Sequence, residues 1–116
     1  MIEATLIEYL ASQGFEAYAE LPADVGLDSF RAVTVERTGG ASMHRGLIGT
    51  ATVAVQSWAE STAAAAELAE QVDRALAAMP DHVAGVARCE RNSLYRFPAA
   101  QRPRYQGTYD IVYSEV

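Results

Sequence analysis

The segment from about residue 59 to residue 79 constrains this chain more than any other. It contains neither Gly nor Pro, is rich in Ala, Leu, Glu and Gln, and stops at Pro80. That composition favours a helix throughout, and proline cannot continue one. Ala65, Leu68, Val72, Ala75, Leu76 and Met79 recur at three- and four-residue spacing and form one apolar stripe. Glu70 and Arg74 make an i,i+4 pair on the exposed side. Ser57 with Glu60 offers a capping box at the start, and Ser61 is the other candidate cap. A stripe of this length needs an apolar surface to cover, and the segments around it must supply one.

Those segments alternate like strands. Residues 15–20 place Phe15, Ala17 and Ala19 against Glu16, Tyr18 and Glu20, followed by a loop with Pro22, Asp24 and Gly26. A second strand is expected over 31–37, ended by Gly39-Gly40, and a third over about 50–57. The two pair as an antiparallel hairpin across a long connection, residues 39–49. Residues 83–93 read as a fourth strand, with Ala87 and Cys89 on one face. A Pro-containing loop, Leu94 to Pro103, leads to a fifth strand at about 104–114, where Tyr105, Tyr109, Ile111 and Tyr113 share a face. At the other end of the chain, Ile2, Leu6, Tyr9 and Leu10 mark a helix over 2–13 that Gly14 stops. The order α-β-β-β-α-β-β predicts an α+β fold: a mainly antiparallel sheet of about five strands with both helices on one face. Nothing reads as a linker, so residues 1–116 are expected to form one domain.

A chain of this length buries roughly two-thirds of its unfolded surface. Its hydrophobic fraction of 50% overstates the core, because 22 of the residues counted are Ala. Association with other subunits is one way to supply the remaining stability. The net charge is −6 and the pI about 4.8, with nine Arg, no Lys and 15 acidic residues. This is the reverse of a free nucleic-acid binder. Cys89 is the only cysteine, which fits a reducing compartment. The start, Met1-Ile2-Glu3, lacks a basic region and an apolar run, and no apolar stretch approaches the ~20 residues that span a bilayer.

Candidate chemistry gives way to simpler accounts. His44 lies near Ser42 and Arg45, but no third group orients a base toward a nucleophile, and a solvated loop histidine explains it. His82 follows Pro80-Asp81, where it can meet the last helix carbonyls and the dipole. One Cys and two widely spaced His do not build a zinc site. Gly39-Gly40 and Gly46/Gly49 join two strands, which is not the setting of a phosphate loop. Arginines and aromatics interleave from Arg96 through Tyr105, and a loop pinned by two prolines with Phe97 and Tyr105 packed accounts for them. No catalytic, cofactor-binding or metal-ligating residue is therefore assigned, and no cofactor is expected.

Three stretches carry a resemblance. The hairpin strand Arg31 to Gly40, the strand Thr52 to Ala59 with the Ala-rich helix after it, and the ending Tyr95-Arg96-Phe97-Pro98 with Arg104 to Tyr109 resemble tail terminator and head–tail joining proteins. These belong to long-tailed bacteriophages and related prophages (the minor tail protein U-like family). The resemblance implies a non-enzymatic virion protein. It implies a homo-oligomeric ring, a hexamer, at the head-proximal end of the tail, made in the host cytoplasm. Its partners would be the tail tube protein, whose polymerisation it ends, and the head connector, with no specific nucleic-acid or membrane binding. The acidic charge agrees with a channel through which DNA slides. Met43, His44, Arg45, Leu47 and Ile48 are the expected partner contacts, because apolar residues in a Gly-flanked loop want a reason to be there. The alternative is a small-ligand-binding domain or an enzyme that uses the 39–49 loop.

Overall fold

The structure, a computed structural model, describes residues 2–21, 31–43, 48–97 and 103–114. Helix α1 (Ile2–Ser12) buries Ile2, Leu6, Tyr9 and Leu10, as its spacing requires. It ends in a Schellman motif: Phe15 N–H donates to the Leu10 carbonyl, Gly14 N–H donates to that of Ala11, and Gly14 takes φ 95°. Strand β1 is only Ala17–Tyr18 and runs parallel to β2 (Ala32–Met43). Strand β3 (Ile48–Trp58) pairs antiparallel with β2. Helix α2 (Thr62–Ala77) follows, then a short helix α3 (Met79–His82), β4 (Val86–Phe97) and β5 (Arg104–Ser114).

The five strands form one sheet in the order β1-β2-β3-β5-β4. The fifth strand in sequence thus sits between the third and fourth, antiparallel to both. Strands β3 and β4 consequently run the same way, and α2 is the crossover that joins them. This is the expected α+β fold, with a parallel pair at the β1 edge.

Both long helices cover the same face of the sheet. Leu6 and Leu10 of α1, Leu68, Val72 and Leu76 of α2, and Met79 meet Val33, Val35, Val53, Val55, Val86, Tyr109 and Ile111 in one core cluster. Each fully buried Leu or Met contributes about 1.5–3 kcal/mol. A smaller cluster of Ala59, Ala64 and Ala65 with Tyr105 closes the start of α2. Ser61 is the cap there, its hydroxyl accepting from Ala64 N–H at 3.1 Å, so Ser57 is free to be a buried strand residue.

Several boundaries differ from expectation for identifiable reasons. Gly39 and Gly40 do not end β2. The strand passes through them by a bulge between Arg37 and Gly39, and Gly39 pairs with Thr52, Gly40 with Ala51. Only residues 44–47 therefore separate β2 from β3, where a long connection over 39–49 was expected. Strand β4 starts later and runs further than 83–93. A register shift between Val86 and Arg88 leaves Ala87 exposed while Val86 is buried and Cys89 half-buried. Pro80 opens α3 at a position where its missing N–H costs nothing. His82 lies in the last turn of α3, the helix-end position expected for it, and its ring also stacks near Tyr9, centroids 6.3 Å apart.

Candidate functional site

The helix-free face of the sheet carries most of the described side-chain hydrogen bonds between strands. Alternation sends Thr34, Gln56, Gln106 and Tyr95 to this face, and the register aligns them in one row across β2, β3, β5 and β4. Thr34 donates to Gln56 Oε1 at 3.4 Å, Gln56 Nε2 donates to Gln106 Oε1 at 2.8 Å, and Gln106 Nε2 donates to the Tyr95 hydroxyl at 2.9 Å. Each amide is thereby fixed in one orientation. Trp58 Nε1 donates to the Thr34 hydroxyl at 3.0 Å, and the Arg104 guanidinium lies 4.5 Å over the Trp58 ring. Arg104 also donates to Gln56 Oε1 at 3.4 Å, and burial lowers its pKa. Further along, Thr52 donates to one oxygen of Asp110 at 2.8 Å and Asn92 to the other at 2.6 Å.

This arrangement makes a polar surface whose side chains are tied to one another across four strands. The amides, hydroxyls and indole satisfy one another, so an approaching surface meets fixed donors and acceptors that need no reordering on contact. Tyr95 is the one large hydrophobic side chain among the described residues that is strongly exposed, at 42%.

A second polar cluster sits on the helix side. Asp73 of α2 accepts from the Tyr109 hydroxyl at 2.9 Å and forms an ion pair with Arg91 at 3.4 Å. Burial, and after it the hydrogen bond to Asp73, pushes the Tyr109 phenol well above its ordinary range. Burial and the Asp73 charge push the Cys89 thiol up to about 12. A phenol and a thiol held protonated are poor bases and nucleophiles at neutral pH. The cluster acts as a seam that fixes α2 against β4 and β5.

A cleft of about 680 Å³ opens between the turn that follows α1, the start of β2 and α2, lined by residues that include Phe15, Glu16, Arg31, Leu68, Gln71 and Arg74. Arg31 is engaged there by Glu60 at 3.1 Å. Among the described residues, no group of three or more His, Cys, Asp or Glu could hold a metal ion. No helix of the described residues is long and apolar enough to cross a membrane.

Of the expected contact residues, Met43 and Ile48 form a cross-strand pair, and Ile48 also pairs with Ser114 of β5. Ile48 is half-buried at the start of β3. His44, Arg45 and Leu47 lie outside the described residues. Of the segment from Arg96 through Tyr105, residues 98–102 lie outside the described residues; β4 extends to Phe97, Arg96 is exposed, Tyr105 packs on the alanine cluster, and Arg104 stacks on Trp58. The row of Thr34, Gln56, Gln106 and Tyr95 escaped the sequence reading. Its only trace there is the shared alternation phase of four separate strands. No family model and no curated protein matches the chain.

Proposed function

We propose that this chain is a structural virion protein of the tail terminator kind. It assembles into a ring, a hexamer on the pattern of the family it resembles, at the head-proximal end of a phage tail. There it ends growth of the tail tube and offers the surface on which the head connector docks. The observation that carries this reading is the one-sided sheet. Helices cover one face, while the other is a self-satisfied polar surface of the kind that wet subunit contacts use. The Ala-rich core supports it, because a chain with few bulky residues gains stability from association. Light scattering over a range of concentrations, with imaging of purified tail tubes after addition of the protein, tests it. The expected result is a discrete oligomer that caps tube ends. A strict monomer that leaves tubes growing would refute the reading.

The small-ligand alternative loses its long loop, since Gly39–Met43 and Ile48–Gly49 are ladder-paired. The cleft beside α2 and the start of β2 gives that reading a different location, within the ~300–1,000 Å³ typical of ligand sites. A metabolite screen by thermal shift decides it: a stabilising compound whose effect disappears in Arg74→Ala would favour ligand binding over assembly.

A further inference from the structure

The sheet has two edges, and they carry opposite charge. At one edge lies β1, with α1 packed over β1 and β2. The stretch 2–21 that builds this edge contains four carboxylates, Glu3, Glu8, Glu16 and Glu20, and no cation. Glu8, Glu16 and Glu20 are exposed. At the other edge lies β4, which among the described strands pairs only with β5. It carries Arg88, Arg91 and Arg96 against Glu90, with Arg91 also paired to Asp73 of α2, while the whole chain has net charge −6. Arg88 meets Glu90 at 3.5 Å with both side chains 63% exposed, a pairing weak enough to exchange for another carboxylate.

We propose that copies of this chain associate head to tail, the β4 edge of one docking beside the α1/β1 edge of the next. Symmetric pairing is opposed at both edges, since β4 against β4 sets arginine against arginine and β1 against β1 sets glutamate against glutamate. Register shifts between Val86 and Arg88 and between Arg91 and Ser93 break β4 into two short regular stretches, Arg88–Arg91 and Ser93–Phe97, which further discourages strand-to-strand pairing with its own copy. Only the unlike edges are complementary. A contact between two different patches is heterologous, and repeated with a closing rotation it makes a ring. The inference rests on the ring reading and specifies which surfaces build it. The charges set orientation and encounter rate, and packing of the edges supplies the remainder.

Charge reversal tests this. Arg88→Glu/Arg96→Glu makes the β4 edge acidic and spares Arg91, which holds Asp73. Glu16→Arg/Glu20→Arg makes the β1 edge basic. Sedimentation velocity on each double variant alone should show association weakened by about tenfold or more. An equimolar mixture should recover it, because each acidic β4 edge then meets a basic β1 edge and each basic β4 edge an acidic one. Recovery also proves that both variants are folded. Should a variant fail to fold, wild-type protein carries the test, since raising salt from about 50 to about 500 mM should weaken its association. Association that ignores salt, double variants that assemble like wild type, or folded variants whose mixture does not recover would overturn these edges while leaving a ring built through other surfaces. A wild-type monomer at every concentration and salt would overturn both.

Discussion

Gly40 sits in the β2 ladder with φ 143°, and a Cβ there would fall on the Thr50 carbonyl oxygen and within 2.7 Å of the Arg37 guanidinium. Gly40→Ala should therefore destabilise by about 1–3 kcal/mol in urea unfolding. A loss below a few tenths would mean that β2 relaxes around it at no cost. Tyr109→Phe removes a buried hydrogen bond and leaves Asp73 with Arg91 alone. About 1–2 kcal/mol of stability should go with it. Tyr109 was legible in the sequence as a core position, because strand alternation puts it in phase with Ile111. Its partner was not, since Asp73 lies 36 residues away on a helix whose rotation against the sheet no local spacing encodes.

At the scale of elements, α2 depends on its cap, and Ser61→Ala should cost about 1 kcal/mol by the same measurement. An unchanged midpoint would show that the Ala59–Tyr105 cluster alone fixes the helix start. The seam between α2 and the sheet also sets an alkaline limit. The folded protein keeps the Cys89 proton to about 12, against an ordinary value of 9.0, so above that ordinary value the unfolded chain releases a proton the fold retains. Stability should hold in full below pH 9.0 and fall as the pH rises toward about 12. Tyr109 adds to the decline above its ordinary 10.0. Cys89→Ala should flatten the first part of that decline, and a curve of the same steepness would dismiss the thiol. Helices and strand centres were legible because burial on one face imposes a period. Strand ends were not: glycines usually close a strand, yet here a bulge carries the ladder through them, and the register shift at Ala87 moved the inward phase of β4.

For the whole molecule, sheet order is the property least visible from the chain. Strand β5 could be recognised from its tyrosines, but its place between β3 and β4 is fixed by pairing over the full length of both neighbours. A chain ending at residue 102 should lack cooperative unfolding by circular dichroism, because β3 and β4 would lose their common partner. A sharp transition in that fragment would contradict the pairing. The same insertion has a consequence for synthesis. The ribosome delivers the strands in numerical order, yet the sheet has a gap between β3 and β4 until the last of them emerges. Nascent copies, crowded on one message and already bearing their acidic first helix, cannot complete a core or present a finished β4 edge to one another. The topology thus works as a timer: the β4 edge, and any association through it of the kind proposed above, waits until each subunit has been made through Ser114.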